Sequence, residues 1–180
     1  MKYPNEEAYE VILQLDDYDD IFSDFDMRPY SKRALSIDFL DEIKRATGDK
    51  SIGAVELLLH TPHAQRNEAH ELVIKERLAA HFKRHFDLAK KDKFHVLRRG
   101  WGMVFVGIAF MIAATFVAHE GADESLLLSF LLIFLEPAAW FLLWEGMDLV
   151  IFHSKTITPE LDFYRKMSHE KSIVHFKSVN

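Results

Sequence analysis

The sequence predicts a membrane protein, mainly α-helical, in which a two-helix transmembrane hairpin carries a small cytoplasmic α+β domain built from both chain ends. Three observations lead there. Across the 180 residues, no charge falls between Trp101 and Ala118, and only Glu136 falls between Ser125 and Trp144. Apolar runs of about 18 residues or more match the hydrocarbon core of a bilayer. The remaining sequence is so rich in charge that the mean hydropathy of the whole chain is only −0.07. Amphipathic helical periodicity and short apolar runs flank the two spans on both sides, as a folded domain requires.

Residues 1–35 read as an acidic, aromatic arm, partly flexible, that docks its rings on its own surface or a partner's. Its centre alternates acids and aromatics, Asp16-Asp17-Tyr18-Asp19-Asp20-Ile21-Phe22-Ser23-Asp24-Phe25-Asp26. That spacing lacks the glycine and the ligand positions of an EF-hand loop. Residues 36–99 form an α+β region ending in a long helix. Ser36 is placed to cap a helix over Ile37–Thr47, with Gly48 as its stop. The apolar run Ile52–His60 reads as a buried strand ended at Thr61-Pro62. Ala64–Phe94 then carries a helical stripe, Ile74, Leu78, Phe82, Phe86 and Ala89, and the helix is expected to continue past Gly100 and Gly102.

Residues 100–152 form the hairpin, with spans at about 101–118 and 125–144. Gly102, Gly107, Ala109, Ala113 and Ala114 offer small side chains for close helix contact. In residues 153–180, Thr158-Pro159-Glu160 reads as a helix start, with the helix reaching Ser168. Ile173–Val179 reads as a strand that pairs with Ile52–His60. Two strands alone are marginal, so the arm or another subunit is expected to add to the sheet.

Charge sets the orientation. Lys83, Arg84, Lys90, Lys91, Lys93, Arg98 and Arg99 precede the first span, whereas the loop 119–124 has acids and no Lys or Arg. Lys155, Arg165, Lys166, Lys171 and Lys177 follow the second span. The positive-inside rule then places both termini in the cytoplasm and the loop outside. Lys90, Lys91, Lys93, Arg98 and Arg99 are expected to face lipid headgroups, and Trp101, Trp140 and Trp144 to anchor the interface. Membrane lipid, a second copy of the chain and a cytoplasmic protein are the expected partners. A net charge of −6 argues against nucleic acid. Absence of cysteine excludes disulfides and thiolate metal sites and fits a reducing compartment.

Glu136 is the outstanding candidate, because an ionisable group inside a span is a functional site by default. Counting back along the antiparallel first helix sets it opposite about Gly107, with no basic residue at that depth. Three arrangements remain open. A protonated Glu136 bonds a carbonyl freed by Pro137, it meets a neighbouring subunit, or it faces water in a pore. Glu136-Pro137 in a second span resembles the Glu-Pro of the mitochondrial calcium uniporter family. That family places an Asp three residues earlier, where this chain has Ile133.

Of the ten histidines, His81 and His85 share a helix face as zinc ligands do, but a third ligand has to come from the fold. No HExxH, glycine-rich phosphate loop, GxSxG or cysteine nucleophile occurs, so neither a cofactor nor an enzymatic activity is expected.

From Arg28-Pro29-Tyr30-Ser31-Lys32-Arg33 onward, the layout resembles a group of uncharacterised prokaryotic two-span membrane proteins. Those share an RPxSxR arm, a strand and long helix, and a proline-centred second span ending in tryptophan. The counterparts here are Arg28-Pro29, Val55–Leu59, Glu124–Leu128, Pro137 and Trp144. In that group a basic residue often precedes the proline, where this chain has Glu136. The resemblance implies a prokaryotic inner or plasma membrane and no known activity. The expected role is therefore a homo-oligomeric scaffold or adaptor, with a cation or proton channel lined by Glu136 as the alternative.

Overall fold

Three short stretches rich in Val, Ile and Leu pair as parallel strands, β1 (Tyr9–Gln14), β2 (Val55–Pro62) and β3 (Ile173–Val179), in the order β1-β2-β3. The computed structural model describes residues 9–48, 54–119, 125–169 and 172–179. Register aligns Val11, Leu57 and Val174 in one row and Leu13, Leu59 and Phe176 in the next. Alternate residues of a strand share a face, so both rows look the same way. They meet Phe39 and Ile43 of helix α1 (Ile37–Thr47), Ile74, Leu78 and Phe82 of α2 (Glu68–His119), and Phe163, Tyr164 and Met167 of α4 (Ser154–Met167) in one core. β3 does pair with β2, and the third strand comes from the arm.

The arm thus adds to the sheet and docks its rings on the chain's own surface. Leu15, Tyr18, Ile21 and Phe22 are buried, and Tyr18–Ile21 is a 3-10 turn capped by Asp17 and Asp20. The acids lie on the outer side of a turn whose apolar residues enter the core. Burial of those four side chains opposes the chain entropy that would otherwise leave such an acidic segment disordered. The segment carrying the RPxSxR resemblance closes over this turn. Arg33 donates to Asp19 (2.6 Å) and to the Ser23 carbonyl, and Tyr30 stacks on Phe22 at 5.1 Å.

α1 has the bounds read from the sequence, but the Ser36 side chain makes no capping hydrogen bond. At α2 the cap is Asn67, whose Oδ1 accepts from the backbone N–H groups of Ala69 (3.0 Å) and His70 (3.3 Å). Residues 1–8, the expected strand start at 52–53, loop residues 120–124 including Glu124, and Lys171 lie outside the described residues.

The chain divides into two units: Met1–Leu88 with Glu160–Asn180, which holds the sheet, and Ala89–Pro159. In the second unit, α2 continues unbroken through Gly100 and Gly102 to His119 and is followed by α3 (Leu126–Asp148). A π turn over Leu149–His153 leads directly into α4. No new helix begins at Thr158-Pro159-Glu160, because Pro159 lies inside α4. Ser154, Thr156 and Thr158 each donate a hydroxyl to the carbonyl four residues back, at 2.5, 3.4 and 2.9 Å. Side chains thus add donors in the segment where proline withholds one. The two helices α2 and α3 are long and apolar enough to cross a membrane, and only 17% and 6% of their most apolar stretches are buried.

Candidate functional site

Small residues on α2 and α3 bring the two backbones together along a seam. A Cβ on Gly100 would lie 2.9 Å from the Gly146 carbonyl, and one on Gly146 would lie 2.8 Å from that of Gly100. A Cβ on Gly107 would meet the Leu143 side chain at 2.9 Å and the Ala139 carbonyl at 3.1 Å. Val104, Ala114 and Ala139 are buried beside them. The positions 100, 104, 107, 111 and 114 on α2, with 139, 143, 146 and 150 on α3, advance by alternating steps of three and four. That is the spacing of an antiparallel seam packed side chain into groove. Gly107 and Ala114 lie on it as expected. Gly102, with open space around its Cα, and exposed Ala109 do not. Gly100 and Gly146 are the contacts that sequence reading missed, because proximity to a span's end hid their role.

Glu136 occupies the next step of the same progression. It lines a groove of about 420 Å³ with Met111, Ala114, Thr115, Ala118 and Ala139. Its neighbours are therefore Ala114 and Ala118 rather than Gly107. Gly107 instead faces Ala139 and Leu143, so the pairing of the two helices is displaced by about one to two turns from the count along the sequence. Alanines opposite a long acidic side chain leave space that neither helix fills. Among the described residues Glu136 makes no hydrogen bond or ion pair, so it does not bond the Ile133 carbonyl that Pro137 frees. The Thr115 hydroxyl donates to the Met111 carbonyl at 2.9 Å and keeps its acceptor lone pairs.

Trp101, Trp140 and Trp144 are all exposed, with Trp101 beside Phe105 and Trp140 beside Trp144 at ring separations of 6.1 and 6.4 Å. Lys91, Arg98 and Arg99 are exposed at the end of the unit where Gly100 lies, as is Lys90, while Lys93 donates to Thr158 Oγ1 at 2.9 Å. A second, almost wholly apolar groove of about 280 Å³ lies among Trp140, Trp144, Met147, Asp148, Ile151 and Phe152, at the π turn.

The sheet unit holds two polar clusters. His81 and His85 stand with rings 4.2 Å apart and tilted by 32°, and His85 stacks on Tyr164 at 5.1 Å. Face-to-face rings do not converge their nitrogen lone pairs, and no group of three potential ligands forms among the described residues. The pair packs as an aromatic stack. Nε2 of His81 is enclosed without a hydrogen bond among the described residues. Burial, His85, Arg77 and Arg84 together push His81 down to about 4, and burial also lowers His85.

The second cluster is Glu71, only 5% exposed, gripped by Arg66 at 2.8 and 2.9 Å and receiving the Tyr18 hydroxyl at 3.0 Å. Arg66 holds Glu71 below the usual carboxylate range, while burial pushes Tyr18 up. The Tyr18 oxygen accepts from the Asn67 amide, and Arg66 reaches Ser178. This network ties the arm, the start of α2 and the end of β3 together. Nothing in the local sequence marked it, since the partners lie 53 and 112 residues apart.

Comparison with known proteins finds no matching family model, no matching curated protein and no matching solved structure. What the fold itself defines is a mostly helical chain pairing a small parallel-sheet unit with two long apolar helices. Its distinguishing features are a glycine-lined seam and one exposed carboxylate lining the groove beside it.

Proposed function

We propose that this chain is an integral membrane protein whose α2–α3 hairpin spans the bilayer twice, with the sheet unit and both termini in the cytoplasm. The carrying observation is the exposed apolar girdle. Phe105, Ile108, Ile112 and Phe116 on α2, with Phe130, Ile133, Phe134 and Phe141 on α3, all point outward. An apolar surface of that extent needs a cover other than water, and helices satisfy their own backbone groups, as lipid demands. Exposed Lys90, Lys91, Arg98 and Arg99 at one end, beside Trp101, support the inward-facing orientation.

Within that frame the chain acts as a homo-oligomeric scaffold or adaptor, with the sheet unit as its interaction module. A two-helix hairpin buries little surface by itself, and Glu136 without a partner gives a reason to associate. The test is extraction and flotation of the full chain. Resistance to alkaline carbonate and co-flotation with phosphatidylcholine vesicles are expected; full release into the aqueous fraction overturns the reading. Covalent cross-linking in lipid then reads the number of copies.

The groove favours a second reading, an oligomeric cation or proton pathway lined by Glu136. A closed ring of copies with Glu136 toward the axis, and flux through proteoliposomes that Glu136→Gln abolishes, supports it. Flux unchanged by that substitution rules it out.

A further inference from the structure

We infer that the groove between α2 and α3 is a binding site for a lipophilic monovalent organic cation, a protonated amine or an onium, with Glu136 as its counter-ion. This rests on the membrane reading above. Between Arg99 and Lys155 the sequence contains no Lys or Arg, so neither helix supplies Glu136 with a permanent cation. A carboxylate in hydrocarbon stays ionised only if an opposite charge comes to it.

The walls decide which cation that is. Met111, Ala114, Ala118 and Ala139 present alkyl and thioether surface, and Thr115 supplies a single hydroxyl oxygen that is free only as an acceptor. Calcium and magnesium take about six or more oxygen ligands, which this lining cannot offer. An organic cation needs no such shell. Its charge is spread or shielded, its desolvation is cheap, and its substituents fill the space the alanines leave. The volume of about 420 Å³ lies within the ~300–1,000 Å³ common for small-molecule sites. An N–H of a protonated amine can also donate to the Thr115 oxygen. The groove is open along one side, so a ligand dissolved in lipid reaches it laterally.

Tetraphenylphosphonium is the probe, titrated calorimetrically into the full chain in phosphatidylcholine nanodiscs, with empty nanodiscs as the partition control. Saturable binding of one cation per chain is expected. Glu136→Gln should weaken it at least tenfold, while Glu136→Asp, which keeps the charge, should weaken it less. Ala118→Leu, on the exposed wall of the groove, should weaken it without touching the acid. Neutral triphenylphosphine oxide should show no saturable binding. Equal affinity for the neutral probe, or for Glu136→Gln, overturns the inference, as does absence of saturable binding in a chain that co-floats with vesicles. A chain that fails to float overturns the membrane reading instead, so the two failures are separate.

Discussion

Two halves of one helix use apolar residues in opposite ways. In the first half of α2, Ile74, Leu78 and Phe82 recur every four residues and are buried against the sheet, with charged residues between them. In the second half, Trp101, Phe105, Ile108, Ile112 and Phe116 lie among other apolar residues on every side, and most of that surface is exposed. Apolar content therefore does not say where a side chain ends up. Its pattern around the helix does: a stripe fits a protein core on one side and water on the other, and a full apolar girdle is the pattern the proposed bilayer setting accounts for.

The sharpest break of this comparison sets Phe82, 1% exposed, against Phe116, 66% exposed on the same helix. Phe82→Ala should destabilise the sheet unit by about 3–5 kcal/mol, the cost of a cavity in a packed core. Phe116→Ala should change that unit by less than about 0.5 kcal/mol. Amide hydrogen exchange of β2 in urea reads both, and equal losses would erase the distinction.

Ile112→Lys sharpens the other side. At a water-facing site a lysine is close to neutral, whereas near the centre of a span it costs roughly 2.5–3.5 kcal/mol of insertion free energy. A fall in the membrane-inserted fraction is expected, measured against Ile112→Leu. Unchanged insertion would place that surface in water.

Glu71→Ala tests how the sheet unit tolerates charge. Arg66 and Tyr18 would lose their shared acceptor, a loss of about 2–3 kcal/mol for a partly buried pair. Tyr18→Phe should cost about 1 kcal/mol, since it removes one hydroxyl and leaves the ion pair intact. Thermal melts of the two variants give the order, and a larger loss for Tyr18→Phe would contradict it.

The stacked histidines give a pH dependence. His81 is lowered from 6.5 to about 4 in the folded chain, so the unfolded chain binds more protons between those values. Stability from this group is therefore complete above pH 6.5 and is lost as pH falls toward 4. Its size is on the order of 2 kcal/mol after allowance for partial solvent screening. His81→Gln should flatten the difference in urea midpoint between pH 7 and pH 4.5; an unchanged slope would assign it to the carboxylates.

Helix caps give the smallest effects. Asn67→Ala should cost about 1 kcal/mol, because its side chain holds two amides of the first turn of α2. Ser36→Ala should cost less than about 0.5 kcal/mol, since that hydroxyl caps nothing. Melting temperatures compared side by side check both.

Local pattern by itself determined α1, β3, the stripe of α2 and the two apolar helices, because each is written in the spacing of neighbouring residues. Sequence reading also singled out Glu136, since one acid among apolar residues is visible without a fold. Tertiary structure decided what each of these faces. The acidic arm became the third strand and a buried turn once the sheet and α2 offered Leu15, Tyr18 and Phe22 a core. Glu136 lies beside Ala114 because Gly107 packs against Ala139 and Leu143 and Gly100 against Gly146, and that pairing depends on contacts between residues 32 to 46 apart. The Tyr18–Glu71–Arg66–Ser178 network has the same origin. Short-range periodicity reports how a segment folds; close approach between distant segments depends on which surfaces fit, and only the assembled chain selects among them.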